Sequence, residues 1–267
     1  MIGFNTESNT SLLQQIQNKQ ESILEKLSSG KRINSAADGA AAQQIIDRLT
    51  TQVEGNRQSI SNAFDGVSLT QVAEGGLAGI TEDVNRIREL SIQSGNGLLT
   101  DSDRQAIQSE VTQLQDNISQ TIEQTEFAGK SLLSSDGNID FQIGANAGQK
   151  IGVATQDVAA SLNDILNVDL STAQGAEDAI AVADDAAEFV DSARADLGAT
   201  QNQFESAARN LTQTDINVSA ARSRIQDTDF AQATSENAAA SILSQTSLAV
   251  QGIANQQQGQ VLSLLNG

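Results

Sequence analysis

Residues 190–225 read VDSARADLGATQNQFESAARNLTQTDINVSAARSRI, and this stretch decides the fold. Large apolar residues recur in it every seven positions without a miss: Val190, Leu197, Phe204, Leu211, Val218 and Ile225. Three residues after each of the first five stand Ala193, Thr200, Ala207, Thr214 and Ala221. A strict seven-residue repeat keeps one stripe of a helix turned toward its partners. The pattern therefore predicts a long helix with a bundle seam of large residues backed by small ones.

Working outward, the same period reappears at Ile46, Val53, Ile60 and Val67. That stripe then drifts to Leu77, Ile80, Val84 and Ile87, as expected where a nearly straight helix carries a seven-residue repeat. Gly75-Gly76 reads as a bend within it. A shorter helix follows from Ile107, Val111, Leu114, Ile118 and Ile122, opened by a capping box of Thr100 and Asp103. Between the helices, Ile139–Ile143 and Ile151–Val153 alternate apolar and polar residues, with a Gly-containing connection at 144–148 and a turn signal at Asp136-Gly137. They predict a small hairpin region over about 127–155. Leu12, Ile16, Ile23 and Leu27 predict an N-terminal helix that stops at Gly30. The expected fold is mainly α. It combines a long-helix, coiled-coil-like bundle, a small β-hairpin region and paired N- and C-terminal helices. The segments expected are 1–39, an outer-core bundle at 40–226, and 227–267.

Composition narrows the function. The chain of 267 residues has no His, Cys, Pro, Trp or Tyr. Without His and Cys the usual metal ligands, thiol nucleophiles and commonest general base are gone. Acid pairs such as Asp184-Asp185 or Asp101 with Asp103 fall on positions that read as helix surface or cap, so no catalytic, cofactor or metal residues are expected. Net charge is −19, which argues against binding nucleic acid or an anionic membrane surface. The N-terminus shows no basic and apolar leader pattern, so no cleaved signal peptide is expected.

The charge is uneven. Residues 231–267 carry a single charge, Glu236. In this segment Ile242, Leu243, Val250, Ile253, Leu262, Leu264 and Leu265 recur with helical spacing. A lone helix of this kind is marginal in water, and pairing it with the N-terminal helix leaves two faces wet. The ends are therefore expected to order when several subunits surround them.

Four segments carry a family resemblance. Leu27-Ser28-Ser29-Gly30-Lys31-Arg32-Ile33-Asn34-Ser35-Ala36 resembles the N-terminal signature of bacterial flagellins. Arg86–Ser94, Ala221–Ala231 and the run Val261-Leu262-Ser263-Leu264-Leu265 resemble three further flagellin motifs, in the order the family has them. Two departures stand out: Ala36-Ala37-Asp38-Gly39 replaces the usual Lys-Asp-Asp type of run, and the start keeps only part of the usual Asn-Thr-Asn pattern.

The resemblance implies a structural subunit that polymerises into an extracellular flagellar filament for swimming. It implies an inner tube built from the two chain ends, and an outer bundle without the extra domains many flagellins insert. It also implies passage through the flagellar type III export channel, an export chaperone on the C-terminal helix, and filament cap and junction proteins as partners. A vertebrate Toll-like receptor recognises many flagellins through positions that correspond here to Arg86, Leu90 and Glu110. An Arg with an apolar neighbour one turn on is a sound interface anchor. The alternatives are a hook–filament junction protein of the same superfamily and a non-flagellar coiled-coil assembly protein.

Overall fold

A computed structural model describes residues 4–265; for 4–10, 258 and 261–265 it describes only the course of the backbone. Among the described residues seven helices and four strands follow in order: α1 (Phe4–Ser29), α2 (Ala36–Ser94), α3 (Asp101–Gln124), β1 (Glu126–Phe127), β2 (Lys130–Ser131), β3 (Ser134–Gln142), β4 (Lys150–Asp157), α4 (Val158–Ser161), α5 (Asn163–Leu166), α6 (Ala173–Gln226) and α7 (Phe230–Leu265). The chain divides into two compact units, one of residues 54–215 and one of residues 1–53 with 216–267. The expected divisions at 39/40 and 226/227 thus differ from the observed ones. The first turns of α2 and the last turns of α6 group with the chain ends.

The unit of residues 54–215 has a continuous apolar core. On α2 the buried stripe is Leu77, Ile80, Val84, Ile87 and Leu90. Helix α3 adds Ile107, Val111, Ile118 and Ile122, with Leu114 half-buried. Its start is fixed by the capping box. Asp103 N–H donates to Thr100 Oγ1 at 3.3 Å, and Thr100 N–H donates to Asp103 Oδ2 at 2.9 Å. Two otherwise orphaned amides are satisfied in this way. The Thr100 hydroxyl and N–H together hold the Asp103 carboxyl below its usual range.

The seam of α6 is not buried over its whole length. Val190 and Phe204 are fully buried, whereas Leu197, Leu211, Val218 and Ile225 are half-buried. Past Ala208, α6 offers no further fully buried residue. Upstream, the seven-residue series continues as Ala176 and Ala183, with Ala179 and Ala186 three residues on, all buried. Phe204 packs over Gly66. A Cβ at position 66 would stand 2.5 Å from the ring, so only glycine fits there. Phe141 of β3 meets Phe204 edge-on, with centroids 5.4 Å apart and planes at 87°.

The expected bend at Gly75-Gly76 is absent, since α2 runs through both residues. Its non-helical backbone lies instead at Gly39, which is extended (φ 164°, ψ 93°). Gly76 serves packing: a Cβ there would come within 2.5 Å of Thr125 Oγ1. The β region is two hairpins rather than one. The small one, β1–β2, turns through Ala128 and Gly129, both with positive φ (51° and 75°). The larger, β3–β4, is antiparallel with Ile139 opposite Val153. Asp136-Gly137 is not its turn. The register shifts between Ser134 and Gly137, and Asp136 Oδ1 accepts from Asp157 N–H at 3.0 Å across this bulge.

In the second unit α1 ends where Gly30 takes a left-handed conformation (φ 68°). It pairs with α7. Ile16 and Ile23 are buried on α1 and Ala233 and Ala240 on α7, while Leu12 is exposed. Ile46 and Val53, from the start of α2, are buried as well. Among the described residues no helix is long and apolar enough to cross a membrane.

Candidate functional site

The N-terminal signature and the motif at 221–231 are far apart in sequence but meet in space. Arg32 N–H and Ile33 N–H both donate to Gln226 O, at 2.6 and 3.3 Å. Thr228 N–H donates to Gly30 O at 3.0 Å, and Arg32 Nη2 donates to Ile225 O at 2.7 Å. The Arg32 guanidinium thus satisfies a carbonyl in the last turn of α6, where the helix dipole favours a cation. Around this clasp each break in helix is capped. Asp38 accepts from Asn34 N–H at 3.0 Å and from Ser35 N–H at 2.9 Å, bonds that hold its carboxyl below the usual range. Asp229 accepts from Ala231 N–H at 2.9 Å and Gln232 N–H at 3.1 Å and so starts α7. Sequence reasoning missed Asp229. Its signal was legible: an Asp three residues after the end of a helix and directly before an apolar residue.

Beyond the clasp, α7 shows its apolar residues to solvent. Ile242 is 66% exposed, Leu243 53%, Leu248 52%, Val250 50% and Ile253 58%. Leu262, Leu264 and Leu265 lie outside the residues whose side chains are described. Scattered exposed apolar residues are ordinary, but Ile242, Leu243, Val250 and Ile253 share one face of a helix nearly free of charge, with Leu248 set apart from them.

The three positions matched to receptor recognition do not share one surface. Arg86 reaches across from α2 to α3: its Nε and Nη2 donate to Glu110 Oε1 at 2.9 and 2.8 Å, and its Nη1 to Glu89 Oε2 at 2.5 Å. These bonds hold the guanidinium pKa above its ordinary value, with Glu110 the larger cause. Arg86 and Glu110 are both about half exposed, so they present a surface feature. Leu90 does not. It is 1% exposed, because it continues the buried stripe of Val84 and Ile87. It cannot act as the exposed anchor expected of it.

Two family models match this chain. The bacterial flagellin N-terminal helical region matches residues 4–138, and the bacterial flagellin C-terminal helical region matches residues 180–265. The chain belongs to the bacterial flagellin family. Flagellins are structural proteins of the flagellar filament and not enzymes, and this flagellin is such a subunit. It is 39% identical over 277 residues to a flagellin of Bacillus subtilis (strain 168), with 91% of each chain covered. It is also 39% identical over 259 residues to the flagellar filament 30.7 kDa core protein of Treponema maltophilum, again with 91% of each covered. Among solved structures it resembles Bacillus cereus flagellin, with a TM-score of 0.53 and 26% identity over 61% of this chain and 94% of that one. A putative flagellar hook-associated protein from Vibrio parahaemolyticus shares the fold at TM-score 0.61 and 15% identity, covering 71% of this chain and all of that one. At that identity the likeness concerns the fold alone.

Proposed function

We propose that this flagellin polymerises outside the cell through its chain ends, with α1 and α7 lining the inner tube of the filament. The observation that carries this reading is the exposed apolar row from Ile242 to Ile253 on a helix whose single charge in residues 231–267 is Glu236. Covering such a row removes apolar surface from water at about 25 cal/mol per Å², and the row lacks the charges that would oppose close approach of like subunits.

Before assembly the same row needs another cover. An export chaperone binding Ile242, Leu243, Val250 and Ile253 would supply it, and the type III export apparatus, the filament cap and the junction proteins follow as partners. Export without a cleaved signal peptide belongs to the same reading. For a Toll-like receptor, the part of the matched surface that is available is Arg86 with Glu110, while Leu90 acts by holding α2 in place beneath them.

Seeded growth tests the reading. Purified chain is mixed with sheared filaments and sedimented. Elongation into long fibres is the expected result, and small oligomers of fixed size would replace it with a coiled-coil assembly.

A further inference from the structure

Between α2 and α3 the chain passes through Asn96-Gly97, both exposed to solvent. An asparagine before a glycine is open to one internal reaction, attack of the next backbone nitrogen on the side-chain carboxamide, because glycine has no Cβ to obstruct the approach. A fold suppresses this reaction when it holds the carboxamide away from that nitrogen. Here the fold does the reverse. Leu98 N–H donates to Asn96 Oδ1 at 3.0 Å, which folds the carboxamide back over the Asn96–Gly97 peptide. The Gly97 N–H itself makes no hydrogen bond among the described residues, so nothing holds its proton.

The carbonyl of the same peptide is gripped by two donors. Asn96 O accepts from Leu99 N–H at 3.1 Å and from Arg104 Nη2 at 3.2 Å. Arg104 is 5% exposed, and its Nη1 is buried without a partner. No carboxylate pairs with it among the described residues. A buried cation without a counter-charge favours an anion forming beside it. The anion that can form there is the peptide itself. Loss of the Gly97 proton spreads negative charge over Gly97 N and Asn96 O, and Asn96 O faces the guanidinium.

We propose that Asn96 is a self-modification site, where the folded chain converts asparagine into isoaspartate with Arg104 promoting the reaction. Water takes the Gly97 proton, and Gly97 N attacks Asn96 Cγ. The oxyanion that forms on Oδ1 is met by the Leu98 N–H. The Cγ–Nδ2 bond then breaks, Nδ2 leaves as ammonia with a proton returned from water, and a succinimide ring remains. Water next adds to the main-chain carbonyl carbon of residue 96, whose oxygen Leu99 N–H and Arg104 polarise, and the bond from that carbon to Gly97 N breaks. The chain now runs through Cγ, with one more carbon in its backbone. The freed α-carboxylate stands where the guanidinium can hold it through both Nη1 and Nη2. Hydrolysis at Cγ instead gives ordinary aspartate and no such pairing, so isoaspartate is the favoured product.

The full-length monomer is incubated in neutral buffer, beside the same chain in guanidinium chloride, where the Arg104 contact is lost. Samples are digested, and residue 96 is read by electron-transfer fragmentation, which tells isoaspartate from aspartate. The folded chain should convert about tenfold faster than the denatured one, equivalent to about 1.4 kcal/mol of barrier, and with a higher share of isoaspartate. Equal rates, or asparagine persisting at 96 after the denatured chain has converted, would overturn the proposal. Gly97→Ala suits the fold, because the backbone there is not left-handed and a Cβ would meet nothing within 4 Å. It should slow conversion of the folded chain about tenfold. Conversion at the unaltered rate would remove Gly97 N as the attacking atom and the proposal with it. Arg104→Met keeps the stem and removes the charge, and it should bring rate and isoaspartate share down to the denatured values. An unaltered rate and share in a folded Arg104→Met chain would overturn the role of Arg104. Arg104→Lys, which keeps the buried charge but not the fork, covers the case in which Arg104→Met does not fold. It should lose isoaspartate share, and an unchanged share would overturn that role equally.

Discussion

The two compact units solve opposite problems. Residues 54–215 hold 26 acidic and 8 basic side chains, a net charge of −18, over a core that includes Phe204, Leu77, Ile80 and Ile118 fully buried. The remaining residues hold 8 acidic and 7 basic side chains, a net charge of −1, and leave Ile242, Leu243, Leu248, Val250 and Ile253 exposed. One unit buries a continuous apolar core within the chain, though Phe64, Val72, Ile92 and Leu98 stay exposed, and it tolerates strong self-repulsion. The other keeps its charge near zero and its burial incomplete. Under the proposed role of the exposed α7 residues, folding and assembly draw on different residues, so each can be perturbed without the other.

The largest test of that separation is Phe204→Ala. Removing a fully buried ring that packs on Gly66 and Phe141 should destabilise residues 54–215 by about 3–5 kcal/mol in denaturant titration. Leu243→Ala is its counterpart. It should leave the unfolding midpoint of the monomer nearly unchanged, within about 0.5 kcal/mol, and raise the concentration needed for seeded growth. A Leu243→Ala monomer destabilised as severely as Phe204→Ala would collapse the distinction.

Smaller effects sharpen the picture within the acidic unit. Thr100→Ala removes one half of the capping box and should cost about 1 kcal/mol. The Asp103 half depends on pH. Its carboxyl lies below the usual range in the folded chain, so its contribution is present above the ordinary carboxylate value and fades as pH falls through the lowered one. The stability gap between the unaltered chain and Asp103→Asn should therefore close in acid.

Asp83 behaves in the opposite sense and with the smallest effect. Partial burial pushes its carboxyl up, against the 2.9 Å hydrogen bond donated by Asn117. A raised value means that stability is lost as pH rises through it. Asp83→Asn keeps an acceptor for Asn117 and should stabilise the chain near neutrality by about a few tenths of a kcal/mol, solvent screening limiting the gain. The gain should vanish in acid. A destabilised Asp83→Asn chain at neutral pH would show that burial is not the dominant influence on this carboxylate.

The sequence was legible where a stripe is made of large residues. Leu77–Ile87, the α3 series, the capping box at Thr100 and the end of α1 at Gly30 all stand where spacing puts them. It was less legible where small residues pack. Ala176, Ala179, Ala183 and Ala186 continue the seam, but alanine is weak evidence of burial when read alone. Gly75-Gly76 looked like a bend because the Thr125 side chain that needs the space belongs to a later segment. Asp136-Gly137 has the composition of a turn, yet the pairing of β3 with β4 makes it a bulge. Leu90 shows the same limit at a functional position. A motif names the residue, while the phase of the buried stripe decides which way it faces.

Gly66 and Phe204 form a lock whose two halves lie on different helices. The ring occupies the volume that any side chain at position 66 would claim, so neither position can drift alone. Across related chains the two should be inherited as a pair, with a bulkier residue at 66 appearing only beside a smaller one at 204. Anyone grafting foreign loops onto this scaffold must carry both together or neither.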